Sequence, residues 1–151
     1  MNLTFATTTH SDADALVQMR IAAMRESLER IGRFDPQRAR DRFLASFEPD
    51  LCKFIVIDGV SVGFVLTRPE KDYLKLEHFY VMPEHQGKGI GSTVMQTILA
   101  DADARSIEVK LGALRDSDSN RFYQRHGFVK EAEDEWDIYY ARQPQRESRG
   151  D

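Results

Sequence analysis

Three glycines at alternate positions, Gly87, Gly89 and Gly91, have the spacing in this chain that most clearly indicates chemistry. They follow an apolar run that stops at Pro83, and a segment with helical apolar periodicity, residues 90–104, begins among them. This order predicts a strand, a glycine-rich turn and a helix. Glycine lets the backbone come close to a ligand, and the first N–H groups of a helix have no partners within it. Because these groups favour negative charge, the segment predicts a site for a pyrophosphate-bearing ligand.

The spacing of the glycines separates this turn from two common nucleotide-binding loops. A P-loop requires Gly-Lys followed directly by Ser or Thr, whereas Lys88 is followed by Gly89. The dinucleotide fingerprint requires G-x-G-x-x-G, and this chain is one residue short of it. What fits is Gln86-x-x-Gly89-x-Gly91, preceded by Val-x-Pro. This string resembles the acyl-CoA pyrophosphate loop of the GNAT superfamily of N-acetyltransferases.

The resemblance implies that acetyl-CoA is the acyl donor. In that family the backbone of the strand before the loop binds the pantetheine arm, and Lys88 is placed to neutralise pyrophosphate charge. The residues expected to bind the cofactor are Phe79, Val81, Gln86, Gly87, Lys88, Gly89, Ile90, Gly91, Ser92 and Asn120.

A second motif lies at residues 119–128, which read Ser-x-x-Phe-Tyr-x-x-x-Gly-Phe. It resembles the GNAT motif Asn-x-x-Ala-x-x-Phe-Tyr-x-x-x-Gly-Phe, and the resemblance implies that Tyr123 is a general acid that protonates the departing CoA thiolate. A phenol, with a pKa of about 10, is a plausible proton donor to a thiolate whose thiol has a pKa of about 8.5. The family's Asn falls on Asp116, which has no amide donors. Asn120, one helical turn later, is the expected substitute for its contact with pantetheine.

The sequence offers three candidates for the general base and does not decide between them. The resemblance implies direct acyl transfer, in which the substrate amine must lose a proton. Strand alternation places Glu77 on one face with Phe79, and His78 on the other. Glu77 is the first candidate, acting through a water. His78 has the better unperturbed pKa but the opposite face, Glu108 on the next strand is a third option, and some relatives have no such base.

The acceptor is expected to be a primary amine of a small molecule, an amino acid or a protein. The family's acceptor cleft is walled by the first two helices and the last hairpin. In that hairpin an acidic run, residues 133–135, could attract a cationic amine, and Trp136 could stack on it. A solvated hairpin would have the same composition. We expect no nucleic-acid partner and no association with a membrane, and a homodimer is an option.

The elements that must position these residues follow from periodicity and turn signals, in the order β-α-α-β-β-β-α-β-α-β-β. This is a mixed α/β, α+β-like plan and also the element order of the GNAT fold, whose mostly antiparallel mixed central sheet is flanked by helices. Arg20 falls on a polar face of the first helix. Strands are predicted at 3–8, 52–57, 60–67, 73–82, 107–114, 128–132 and 136–141, and helices from Ser11 or Asp12 to Gly32 and at 37–47, 90–104 and about 119–126.

Composition sets further limits. The chain has 151 residues, a net charge of −4 and one cysteine, Cys52. We expect one domain over residues 1–142, followed by a polar, flexible tail over residues 143–151. The acidic balance gives no electrostatic case for nucleic acid, and scattered histidines give no case for a metal. A single cysteine and the lack of a signal peptide or long apolar run predict a cytoplasmic protein.

Three functions are compatible with these motifs. The leading one is an acetyl-CoA-dependent N-acetyltransferase, favoured by Tyr123. The second is an acyl-CoA-binding sensor or regulatory protein with weak catalysis, favoured by the missing Asn. The third is a Rossmann-type nucleotide-binding protein, which the short glycine spacing and the three-strand meander before the loop disfavour.

Overall fold

A computed structural model describes residues 2–145. The chain divides into two compact units. The first comprises Met1–Thr67 and His78–Ile90, and the second comprises Arg68–Glu77 and Gly91–Asp151.

The first unit is built from strands and helices that follow each other closely in the chain. Its elements are β1 (Leu3–Thr7), α1 (Ala13–Arg30), α2 (Pro36–Ser46), β2 (Cys52–Ile57), most of β3 (Val60–Pro69) and the end of β4 (Tyr73–Val81). Strand β2 pairs antiparallel with both β1 and β3. Asp-Gly between two strands predicts a hairpin turn, and Asp58 and Gly59 both have the positive φ of such a turn, 49° and 83°.

The core of this unit lies under α1 and α2. It contains Leu16, Val17, Phe43, Cys52, Phe64 and Leu66, and all of them are buried. Pro36 occupies the first turn of α2, and Asp35 Oδ1 accepts a hydrogen bond from Arg38 N at 3.1 Å. Helix α1 is preceded by a 3₁₀ turn at His10–Asp12, whose N-cap is Thr9. Asp12, one of the two residues predicted to start the helix, is the N-cap of α1, and its side chain makes no capping hydrogen bond to that helix.

Gly63 explains how β3 and β4 come together in the first unit. Its position coincides with a register shift in the β2–β3 ladder between Ile55 and Val56. A Cβ at Gly63 would lie 2.0 Å from the Tyr80 carbonyl oxygen. A glycine inside a strand predicts a bulge or a close backbone approach, and both are present at Gly63.

The second unit contains the C-terminal half of the fold. Its elements are the start of β4, α3 (Ile90–Ala104, from Gly91 onward), β5 (Glu108–Leu114), α4 (Ser119–Arg125), β6 (Val129–Glu133) and β7 (Asp137–Arg142). Strand β7 pairs antiparallel with both β5 and β6. Strand β4 pairs parallel with β5, and the registered pairs run from Tyr73 to Lys75 only.

The strands described form a seven-stranded sheet in the order β1-β2-β3-β4-β5-β7-β6, in which β4 and β5 are parallel and the pairs β1–β2, β2–β3, β5–β7 and β6–β7 are antiparallel. The predicted mixed fold and its element order are confirmed. Most boundaries differ from the sequence prediction by one or two residues, as helix and strand ends commonly do. Asp118 is the N-cap of α4, and its side chain makes no capping hydrogen bond.

The predicted tail begins with residues that have defined contacts. Gln143 Nε2 donates to the Glu108 carboxylate, and Gln145 N lies 3.0 Å from Asp103 Oδ1. The rest of the predicted tail, residues 146–151, lies outside the described residues. The single domain over residues 1–142 and the tail over residues 143–151 stay predictions.

Candidate active site

The glycine turn after β4 is exposed and has the backbone that only glycine adopts easily. Gly87 and Gly89 have φ of 78° and 79°, in the left-handed region. A Cβ built at either position meets no atom within 4 Å, so their backbone faces open space. A ligand can therefore approach these main-chain groups directly, and the pyrophosphate site itself stays a prediction.

Gln86 stabilises the base of this turn. Its Nε2 donates a hydrogen bond of 2.9 Å to the carbonyl oxygen of Val81, the last residue of β4. A 3₁₀ turn at Pro83–His85 lies between them. The first unit thus brings Phe79, Val81 and the segment Gln86–Ile90 into one continuous stretch.

Ser92 belongs to the first turn of α3 in the second unit, and it contacts a residue that sequence reasoning did not single out. Its Oγ lies 3.2 Å from Nε2 of His126, the residue that follows α4. Burial, and secondarily the charges of Arg125 and Arg142, lower the pKa of His126. The lowered pKa favours the neutral imidazole, whose Nε2 can accept a hydrogen bond from the Ser92 hydroxyl. No sequence signal links residues this far apart.

Tyr123 is buried on the inner side of α4. Its ring makes edge contacts with Phe122 and Phe128 and lies 6.4 Å from the Tyr140 ring. Phe128 is buried as expected, whereas Phe122 is only half-buried and contacts His126. The aromatic neighbours fix the position of the Tyr123 phenol in this unit.

Asn120 uses its amide inside the protein. Nδ2 donates to the carbonyl oxygens of Leu114 and Ser117, each at 2.9 Å. Oδ1 accepts from the Tyr140 hydroxyl at 2.8 Å. These bonds tie the end of β5 to α4 and account for both amide hydrogens. The amide oxygen of Asn120 thus also has a partner within the protein. The predicted contact between Asn120 and the cofactor stays a prediction. Asp116 is exposed, with a φ of 69°.

The three candidate bases have different surroundings. Glu77 Oε2 accepts from Arg68 Nε at 2.8 Å, and both side chains are largely buried, so Glu77 is not a solvated strand residue. Glu108 accepts from Gln143 and lies 4.0 Å from Lys110 Nζ. The structure brings Glu77 and Glu108 into the second unit.

His78 belongs to the first unit. It lies with Leu74 and Leu76 on the buried side of β4, and strand alternation predicted that it is on the face opposite Glu77. Its Nδ1 lies 3.3 Å from the Tyr80 hydroxyl, and its ring packs 5.1 Å from the Phe43 ring.

The acidic hairpin between β6 and β7 is engaged in internal contacts. Asp134 accepts hydrogen bonds from the Tyr139 hydroxyl and from backbone N–H groups of Asp137 and Trp136, and these lower its pKa. Glu133 pairs with Lys130 and Arg115, and the Lys130 hydrogen bond is the main cause of its lowered pKa. Much of the hairpin's negative charge is therefore balanced by its own neighbours.

Two alternative chemistries receive no support from the described part of the chain. Residues 2–145 contain no group of three or more His, Cys, Asp and Glu side chains placed to hold a metal ion. Cys52 is fully buried, and burial raises the pKa of its thiol to about 11, so it is a poor nucleophile.

None of the helices among residues 2–145 combines the length and the apolar character needed to cross a membrane.

Comparisons with known proteins agree with this geometry. Residues 50–130 match the family model described as the acetyltransferase (GNAT) domain. The comparison with curated proteins gives no match.

Solved structures share the fold. The PaiA N-acetyltransferase from Thermoplasma acidophilum, crystallised in complex with coenzyme A, is 17% identical with a TM-score of 0.76, and the match covers 95% of this chain and 99% of that one. An acetyltransferase from Thermus thermophilus is 17% identical with a TM-score of 0.74, covering 95% and 97%. The ribosomal-protein-S18-alanine N-acetyltransferase from Escherichia coli is 15% identical with a TM-score of 0.71, covering 98% and 97%.

Proposed function

This chain belongs to the GNAT family of acetyltransferases, and from that premise we propose that it transfers an acetyl group from acetyl-CoA directly to a primary amine. The observation that carries the proposal is the exposed turn with positive φ at Gly87 and Gly89, directly before α3. Such a turn presents backbone N–H groups to phosphate oxygens. The coenzyme A complex of the Thermoplasma protein, which has the same fold, supports the same ligand here.

The proposed roles follow from the chemistry of the transfer. Acetyl-CoA, when bound, supplies an acetyl group on a thioester. A C–N bond forms to the amine, the C–S bond breaks, the amine proton goes to a base and the CoA thiolate takes a proton. We assign to the phenol of Tyr123 the donation of a proton to the CoA thiolate. Glu77 would accept the proton of the amine, with His78 and Glu108 as alternatives. The cofactor would be held by Phe79, Val81, the segment Gln86–Ser92 and Asn120.

A direct transfer needs no nucleophilic side chain on the protein. The only thiol in the chain is that of Cys52, which is buried and has a raised pKa. This observation favours a ternary complex over a covalent acyl-enzyme.

One observation favours the sensor alternative. Both hydrogens of the Asn120 amide are used within the protein, and Asp116 stands where the family has Asn. A protein with these two features could bind acetyl-CoA and have little activity.

Two measurements test the proposal. Calorimetry with acetyl-CoA, CoA, ATP and NAD should show binding of the first two only. An amine panel with acetyl-CoA, followed by the release of CoA thiol, should show turnover that depends on the amine. Binding without turnover for any amine would favour the sensor, and binding of NAD or ATP alone would contradict both readings.

A further inference from the structure

Arg20 is a buried cation in the first unit whose charge has no counter-ion in the described part of the chain. Only 8% of its surface is exposed. Its Nη1 donates to the carbonyl oxygen of Ala39 in α2 at 2.6 Å, and its Nε donates to the Tyr80 hydroxyl at 3.3 Å. Both acceptors are neutral, and no carboxylate among residues 2–145 forms an ion pair with it.

This arrangement is unusual for a purely structural residue. An arginine stays charged inside a protein, and burying a charge without a partner is costly. The other buried arginine among residues 2–145, Arg142, pairs with both oxygens of Asp103. A neutral residue of similar length could bridge α1 and α2 without this cost, so the positive charge of Arg20 needs an explanation.

The third nitrogen of the guanidinium is available for a ligand. Nη2 of Arg20 has no hydrogen-bond partner among the described residues, and it is not one of the fully buried nitrogens without partners. The protein therefore does not cover this nitrogen completely. An arginine held by two of its nitrogens presents the remaining N–H groups in a fixed direction, which suits a planar anion such as a carboxylate.

The surroundings of Arg20 indicate where such an anion would lie. Tyr80, which receives the Arg20 hydrogen bond, also contacts His78, and its ring lies 5.3 Å from the Phe64 ring. Tyr80 is on β4, between Phe79 and Val81, with its side chain on the opposite face of the strand. An anion bound to Arg20 would therefore lie near the side chain of Tyr80, which belongs to the strand that leads into the glycine turn.

We propose that Arg20 binds the carboxylate of the acceptor, so that the amine acetylated by this protein belongs to an amino-acid-like molecule with one carboxylate. The inference rests on the proposed function and narrows its acceptor class. The single uncompensated charge of Arg20 matches a single carboxylate, and the Tyr80 hydroxyl is a second polar group beside it.

The experiment compares acceptors in matched pairs, each an amino acid and its carboxamide. Rates of CoA thiol release are compared at equal concentrations of the uncharged amine, because the carboxylate and the amide change the amine pKa differently. We expect wild-type kcat/KM to be higher for the acid of the preferred pair by roughly tenfold or more. Phenylalanine with phenylalaninamide and alanine with alaninamide cover large and small side chains.

Two variants connect this preference to Arg20. In Arg20→Met the preference for the acid should disappear, and in Arg20→Lys part of it should remain. Arg40→Met is the matched control, because it removes a cation from α2 that is exposed and paired with Asp14, and it should keep the wild-type preference. Melting temperature and CoA affinity identify folded variants, and if Arg20→Met fails to fold, Arg20→Lys decides alone.

The outcomes separate this inference from the proposed function. Equal rates for acid and amide in the wild type, or an unchanged preference in the Arg20 variants, would overturn the carboxylate site while leaving an acetyltransferase. If no amine is turned over although acetyl-CoA binds, the proposed function fails. An NMR titration with N-acetylphenylalanine and its amide then decides the site: binding of the acid to wild type but not to Arg20→Met supports it, and equal binding refutes it.

Discussion

Arg142 binds Asp103 with both of its terminal nitrogens, Nη1 at 2.8 Å from Oδ1 and Nη2 at 3.1 Å from Oδ2. The pair connects the end of β7 to α3, and Gln145 N adds a third hydrogen bond to the same carboxylate. The Arg142 side chain is almost fully buried, and the Arg142 hydrogen bond is the main cause of the lowered pKa of Asp103. Removing this carboxylate would leave a buried guanidinium without its counter-ion.

We therefore expect Asp103→Asn to lower the free energy of unfolding by about 2–4 kcal/mol at pH 7, measured by urea denaturation. The Asp103 pKa is lower in the folded state, so its contribution is present above the unfolded pKa and is lost as pH falls through the folded value. The difference between wild type and variant should shrink below about pH 4. Asp118→Asn, which breaks an exposed pair with Arg121, is the control and should change little; an equal loss would contradict the argument.

Gly89→Val should weaken CoA binding by roughly tenfold to a hundredfold, because a β-branched side chain would occupy the open space beside the backbone and oppose its positive φ. Calorimetry with CoA measures this. Gly59→Val is the matched control: Gly59 also has positive φ and open space around it, but it lies in the β2–β3 hairpin. The control should lose similar stability and keep its CoA affinity. Unchanged affinity in Gly89→Val would refute the pyrophosphate site.

Gly63→Ala should destabilise the protein by about 1–3 kcal/mol, because its Cβ would lie 2.0 Å from a backbone oxygen that has little room to move. At Gly112 a Cβ would meet only the Tyr139 side chain, at 3.2 Å. Gly112→Ala should therefore cost less. Thermal melts of both variants decide this, and equal melting temperatures would show that β4 shifts easily.

The parts of the fold that sequence predicted well depend on local signals. The glycine spacing at residues 87–91 predicts a turn, and strand alternation places His78, which is buried, on the face of β4 opposite Glu77. Gly63 predicts a close approach of another backbone, because a glycine weakens a strand and is often found where a second backbone lies near. In each case the residues concerned are neighbours in the chain.

Arg20 shows where this reasoning failed. The sequence placed it on a polar face of α1, but it is buried beside Leu16 and Val17. Its spacing of three and four residues from these two could have revealed the buried face. Its partner on β4, Tyr80, is 60 residues away in the chain. The contact of Ser92 with His126 was missed for the same reason, since tertiary packing alone creates it.

Tyr123→Phe should reduce kcat by roughly a hundredfold or more while leaving CoA affinity unchanged, because the phenol proton is needed only as the thiolate departs. The ring contacts with Phe128 and Tyr140 remain in the variant, so the fold should be kept. Tyr139→Phe removes an exposed hydroxyl that donates to Asp134 and should keep wild-type kcat. Equal rates in wild type and Tyr123→Phe would remove Tyr123 as the general acid.

Glu77→Gln tests the first candidate base. The carboxylate is held by Arg68, and an amide would keep the shape and one hydrogen bond but lose the charge that accepts a proton. We expect kcat to fall by about a hundredfold at neutral pH, with CoA affinity unchanged and the rate recovering as rising pH deprotonates the amine. Glu108→Gln is the matched variant on β5. If its rate falls instead, Glu108 is the base; if neither changes the pH–rate profile, His78 on the other face of β4 becomes the group to mutate.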